Sequence, residues 1–272
     1  MSRQRKAEIS DSVQSVHRAL SLLEIISKEP NLSISKISER SGLKITTAHR
    51  LASTLMQRGY LEQDPETLHY RLGIKTFEVG NASLLSSDLR ESVQPYLRKL
   101  RDKVNETVNL AVLDGAEVVY IDQMESQNIV IVKMFARVGG RGPAYCTATG
   151  KMLLSDLSDE EVRSRFAKID FIKFTEETIT DCRELIENLS QIKKTGYAMD
   201  FSERDLGVTC VAAPLRNSSG RIHAAISISG PEHRMTIDRI KNEILPELLE
   251  TAGIASQRFG YTSPTDLSSI NR

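Results

Sequence analysis

The chain has 272 residues, with 36 Lys+Arg against 36 Asp+Glu, 40% hydrophobic residues and no Trp. That length points to two domains, and the composition excludes a low-complexity or disordered chain. No apolar run approaches the ~20 residues that cross a bilayer, Met1–Ser12 has no apolar signal core, and three cysteines without a C-x-x-C pair give neither a disulfide framework nor a metal site. A cytoplasmic protein without cofactor or metal is expected.

The neutral total hides an asymmetry. Met1–Lys75 holds twelve basic residues against eight acidic ones, so the front of the chain is basic and the remainder acidic by the same amount. That is the sign expected of a DNA-binding head on an acidic body, although a solvated surface gives the same excess.

Three helices are predicted first. Val13–Ser27 places Val16, Ala19, Leu20, Leu23 and Ile26 on one stripe, ended by Pro30 and Asn31. A short helix follows Ser33 as N-cap, with Ile34 and Ile37 inward and Gly42 as its stop. The third runs from Lys44 to Arg58, with Ala48, Leu51, Ala52 and Leu55 on one side and Thr46, His49, Arg50, Ser53 and Gln57 on the other. Such a polar face suits a major groove: Arg pairs with a guanine edge, Gln with adenine, and short hydroxyls reach phosphates. The segment Leu61–Gln63, a turn at 64–67 and Leu68–Leu72 then read as a hairpin, with Leu68, Tyr70 and Leu72 inward and His69 or Arg71 near a phosphate. Three helices and a hairpin make a winged helix-turn-helix. The bland reading is that any three-helix fragment has a polar outer face.

Ile74–Ser86 is a helical connection, broken at Ser86-Ser87-Asp88, and Leu89–Val104 is a helix with Leu89, Val93, Tyr96, Leu97 and Leu100 on one stripe. Strands follow at Val108–Leu113, Val118–Asp122 and Ile129–Phe135, helices at Thr149–Ser155, Asp159–Ala167 and Asp181–Thr195, strands at Val208–Pro214 and Arg221–Ser229, and a closing helix at Thr236–Phe259. This is an α+β domain with a mainly antiparallel sheet.

Three features there carry potential chemistry. Gly139–Lys151 superficially suggests a phosphate loop, but the positions a Walker motif needs hold Tyr145 and Met152. What survives is a Gly-rich loop entering a helix start, which favours an anion. Ser227 and Ser229 share one face of a strand, and Asp200 precedes a strand bearing Cys210. Each also has an ordinary reading, as a buried small residue or a solvated hydroxyl. For catalysis, Cys210 or Ser227 needs a positioned base, and His223 lies about 13 Å along the strand from Ser227.

The segments Val13–Leu20, Ser41-Gly42-Leu43 and Thr46–Leu51 resemble the winged-helix head of the IclR family of bacterial transcriptional regulators. Pro143–Lys151, Gly196–Asp200, Gly207–Pro214 and Ser227–Pro231 are similar to that family's effector domain. The resemblance implies a head at residues 10–73, a helical linker at 74–87 and a GAF-like effector-binding and oligomerising domain at 88–261. It implies a homodimer, or a dimer of dimers, that binds operator DNA through Lys44, Thr46, Thr47, His49, Arg50, Ser53 and Arg71. It further implies a small carboxylate effector held by Thr147, Ala148, Thr149, Asp200, Cys210, Ser227 and Ser229. The recognition helix departs from the family's usual Pro-Lys-Ser-Thr opening, having Lys44-Ile45-Thr46-Thr47. The expectation is a repressor of a catabolic operon governed by a hydroxy- or keto-acid. The alternatives are an enzyme and a regulator whose second domain only oligomerises or binds a protein.

Overall fold

The computed structural model describes residues 13–85, 89–128 and 136–262. The strand expected at Ile129–Phe135 and the break at Ser86-Ser87-Asp88 lie outside them. The chain divides into two compact units, Met1–Ser87 and Asp88–Arg272.

In the first unit α1 (Gln14–Lys28), α2 (Ile34–Ser41) and α3 (Ile45–Gln57) precede a hairpin of β1 (Leu61–Gln63) and β2 (Tyr70–Leu72), then α4 (Ile74–Leu85). Ser33 caps α2 by accepting from the Lys36 N–H, and Gly42 ends it in the left-handed region at φ 65°. Leu22, Ile26, Ile37, Ala48, Ala52, Leu61 and Tyr70 close the core. Leu32 exchanges two backbone hydrogen bonds with Tyr70, tying the α1–α2 connection to the hairpin.

Two expectations for this unit fail. Val16 and Leu20 are exposed, and α1 buries Leu22 in their place, beside Ile26 as expected. Leu68 is exposed at φ 57° rather than inward, and Leu72 is exposed too. The Asp64 carboxylate accepts from the Glu66 and Thr67 N–H groups, and the Leu68 N–H donates to the Asp64 carbonyl. The turn therefore extends through Leu68, and the strand starts later.

The second unit opens with α5 (Leu89–Val104), which buries Leu89, Val93, Leu97 and Leu100. It continues through β3 (Thr107–Asp114), β4 (Glu117–Met124), β5 (Arg141–Pro143), a single 3₁₀ turn (Ala144–Cys146), α6 (Ala148–Leu154), α7 (Asp159–Phe166), α8 (Cys182–Thr195), β6 (Ala198–Phe201), β7 (Val208–Arg216) and β8 (Ile222–Pro231). The described strands form one antiparallel sheet in the order β5-β4-β3-β8-β7-β6. On one face Ala111, Val118, Tyr120, Ala198, Ala212 and Ala225 pack with α6, α7 and α8. Alternation sends Val108, Leu110, Val211, Ala213, Ile226 and Ile228, all buried, to the face of α5 and the C-terminal helix.

The closing helix is not continuous. A short α9 (Ile237–Arg239) passes through a π turn (Ile240–Ile244) into α10 (Leu245–Gln257). Pro246 lacks an N–H, and its ring would meet the carbonyl four residues back, so the helix widens just before it.

Gly150 sits where the 3₁₀ turn meets α6, and a Cβ there would lie 2.3 Å from the Ala144 carbonyl oxygen. Gly150→Ala is expected to destabilise the protein by about 1–3 kcal/mol. Gly253→Ala, in a helix with nothing within 4 Å, is expected to be neutral or mildly stabilising. Thermal denaturation of the two variants checks both.

Candidate functional site

A small cavity of about 30 Å³ opens between α6 and the polar face of the sheet. It is lined by Thr147, Ala148, Thr149, Asp200, Cys210, Ser227 and Ser229, together with Tyr120, Ala136, Arg204, Asp205 and Val208. Strand pairing explains the convergence. Asp200 is opposite Cys210, Cys210 opposite Ser229, and Ser227 lies two residues back on the same face. Thr147 caps α6 by accepting from the Gly150 N–H, which leaves the first-turn N–H groups of Ala148 and Thr149 unused by the helix itself. The three sequence stretches singled out thus meet on one helix start and three adjacent strands.

The electrostatics are unusual for so small a space. Asp200 is buried, and its carboxyl pKa is pushed up to about 7, first by burial and then by the neighbouring Glu203 carboxylate, against the pull of Lys151. It accepts the Glu203 N–H at 2.8 Å. Lys151, the residue that a phosphate-loop reading would aim at a ligand, is fully buried in an ion pair with Glu203. Burial raises the Glu203 carboxyl, and Lys151 offsets it. The Arg204 guanidinium lies 4.0 Å over the Phe174 ring and 3.6 Å from Asp205.

Burial pushes the Cys210 thiol well above its usual range, so it is a neutral lining group and not a nucleophile. A register break at Leu215/Arg216 accompanies a turn of His223 onto Phe259, with ring centroids 4.8 Å apart. Among the described residues no histidine lines the cavity. The Thr149 hydroxyl is buried without a hydrogen bond of ordinary geometry. With the Ala148 and Thr149 amides, the two serines, Tyr120 and a carboxyl that holds a proton near neutrality, the lining is rich in donors and suits an anionic acceptor.

Sequence reasoning missed Tyr120, Arg204, Asp205, Lys151, Glu203 and a further group behind the serines. Asn109 donates to Ser227 at 3.3 Å and to Ser229 at 3.2 Å, and Gln123 donates to the Asn109 side-chain oxygen at 2.8 Å. A polar Asn109 between Val108 and Leu110, on a strand, was the available signal.

In the first unit Ala48 and Ala52 are buried, while Thr46, His49, Arg50 and Gln57 are exposed on the other side of α3. Thr47, His49, Arg50 and Ser53 border a surface groove with Ser15 and Arg18 of α1. Lys44 is the exposed N-cap residue of α3. On the hairpin Arg71 is exposed and ion-paired to Glu62 at 3.0 Å. So exposed a pair contributes little stability. No helix among the described residues is long and apolar enough to cross a membrane.

The model for the IclR helix-turn-helix domain matches residues 15–65, and that for the bacterial transcriptional regulator IclR C-terminal domain matches residues 81–257. The chain is 36% identical over 251 residues to the HTH-type transcriptional regulator XynR of Escherichia coli, covering 92% of this chain and 98% of that one. It is 37% identical over 259 residues to the acetate operon repressor of Salmonella typhimurium, covering 94% and 93%. Among solved structures, an IclR homolog from Microbacterium hydrocarbonoxydans complexed with 4-hydroxybenzoate superposes with a TM-score of 0.76 at 26% identity, covering 94% of this chain and 100% of that one.

The buried pair gives a stability test. Lys151→Met leaves Glu203 charged and unpaired beside Asp200 and is expected to cost about 3–5 kcal/mol near pH 8. Protonated Glu203 needs no counter-charge, so the deficit should shrink toward acidic pH. Lys151→Met combined with Glu203→Leu should recover most of the loss, measured by denaturant midpoints.

Proposed function

The chain belongs to the IclR family of bacterial transcriptional regulators, and from that premise we propose a repressor whose grip on operator DNA is set by a small carboxylic acid in the second unit. The observation that carries this reading is the cavity itself. Buried donors from α6, β7 and β8 converge on one small space, with a carboxyl beside them whose proton is retained near neutral pH. A carboxylate would rest on the Ala148 and Thr149 amides and the Ser227 and Ser229 hydroxyls, and a hydroxyl or keto oxygen of the acid would meet Asp200. A related protein holds 4-hydroxybenzoate, also a carboxylate, which supports the ligand class.

The head, residues 10–73, would lay α3 in the major groove, with Arg50 and His49 at base edges and Thr46, Thr47, Ser53 and Lys44 toward phosphates. Arg71 would reach the flanking backbone. Residues 74–87 would connect it to a unit at 88–261 that also assembles the protein as a homodimer or dimer of dimers. Repression follows from relatives named as repressors, and a catabolic operon from the kind of acid that the cavity suits. A second domain that only oligomerises has less support, because it leaves the cavity's buried donors without a use.

Fluorescence anisotropy with a duplex from the region upstream of the gene tests this. A hydroxy- or keto-acid should shift duplex affinity, and Asp200→Ala should abolish the shift while leaving DNA affinity in place. Arg50→Ala should cost about 1–3 kcal/mol of specific binding. Binding of cationic compounds alone, or an unaltered acid response in Asp200→Ala, would refute the reading.

A further inference from the structure

The hydrogen bonds behind the cavity have a fixed direction. The Ala136 carbonyl oxygen is an acceptor only, and the Gln123 side chain meets it at 2.9 Å, so the group facing it must be the amide NH₂. Reversing the amide would set two oxygens against each other. The same NH₂ meets Asn109 at 2.8 Å, so Asn109 must present its oxygen there. Its own NH₂ then faces Ser227 and Ser229, at 3.3 and 3.2 Å, and both serine oxygens accept. A hydroxyl whose oxygen accepts from behind has its proton left to give. The Cys210 sulfur is one acceptor for the Ser229 proton, no hydrogen bond among the described residues gives the Ser227 proton a protein acceptor, and both serines line the cavity. Asn109 itself is 1% exposed, and neither it nor Gln123 belongs to the lining.

We propose that Gln123 and Asn109 are positioning residues that, anchored on the Ala136 carbonyl, occupy one acceptor site on each of Ser227 and Ser229, turn the Ser227 proton toward the cavity and bias Ser229 to share its proton between Cys210 and the ligand, and so make the cavity select a carboxylate over its carboxamide. The inference rests on the reading of the cavity as an acid site and adds where its discrimination comes from. A carboxylate is acceptor-only and takes both hydroxyl protons. A carboxamide turns one NH₂ toward a donor and leaves that buried group unpaired. Gln123→Glu reverses the chain, and it also sets a carboxylate oxygen against the Ala136 carbonyl at the cavity rim, so Gln123→Met is its control. A carboxylate at 123 only accepts, so the Asn109 NH₂ turns to it, and the Asn109 oxygen takes the serine protons.

The test is calorimetric titration of the full chain with three matched pairs: glycolate and glycolamide, lactate and lactamide, 4-hydroxybenzoate and 4-hydroxybenzamide. The wild type is expected to prefer the acid of the pair it binds by at least about tenfold. Gln123→Glu should bring that ratio close to one, and Gln123→Met, which removes the relay without reversing it, should give an intermediate ratio. If Gln123→Glu fails to fold, Gln123→Met decides. A merely structural role would weaken acid and amide together and leave the ratio unchanged. An unchanged ratio in folded variants overturns the relay while the acid site stands. A wild type that binds no acid of the set overturns both.

Discussion

Buried polar groups must find partners, and one face of a sheet tests that rule harder than any other part of this molecule. Asn109, Asp200, Ser227 and Ser229 are each no more than 4% exposed on strands whose buried positions are mostly apolar. Asn109 and Gln123 satisfy the serine oxygens from behind, the Glu203 N–H holds one oxygen of Asp200, and Lys151 neutralises Glu203. Among the described residues, what stays free on the cavity side is the first-turn amides of α6 and the Thr149 hydroxyl. The packing of α6 follows from the same constraint, since Gly150 lets the 3₁₀ turn approach close enough to seal the polar face. The proposed ligand class is thus the complement of the donors that the fold turns toward the cavity.

Much of the head was legible in the sequence because its signals are local. The Ser33 cap, the Gly42 stop and the split of α3 into an Ala48/Ala52 side and a Thr46/His49/Arg50 side need only helix periodicity. The face of α1 was not, because Val16, Ala19, Leu20, Leu22, Leu23, Ile25 and Ile26 nearly encircle the helix, and periodicity cannot choose among them. Leu68 was misplaced because an Asp64 side chain, not the apolar alternation, decides where the turn ends. Pro246 was visible, but the widened turn that accommodates it is a tertiary compromise.

In the second unit the three stretches carrying Thr147–Thr149, Asp200–Cys210 and Ser227–Ser229 were legible as separate motifs, with the family resemblance supplying their common purpose. Their shared cavity depends on β7 lying between β6 and β8, a fact of strand order. Asn109 stood out only as a polar residue in an apolar strand, and the partners of Asn109 and Gln123 were hidden for the same reason. Their roles come from β3 pairing with both β8 and β4, more than a hundred residues apart in the chain. Lys151 and Glu203 read as ordinary surface charges until the fold buries them together. A regulator of this kind needs a ligand that binds its DNA-competent and DNA-released states unequally, and any such coupling is reciprocal.

The proposed regulation depends most on a carboxylate binding beside an Asp200 that carries a proton. Asp200 titrates at about 7 in the folded protein, against 3.8 ordinarily, so between those values the folded chain holds a proton that the unfolded chain has lost. Its contribution to stability therefore declines as pH rises through that window. A bound carboxylate raises the group further, so binding above pH 7 must take up a proton and weaken as pH rises. Calorimetric titration of the acid at pH 8, in buffers of different ionisation heat, counts that proton. The account predicts net uptake at pH 8 that fades toward pH 5 and disappears in Asp200→Asn. Binding with no proton uptake at pH 8, or with proton release, would contradict it.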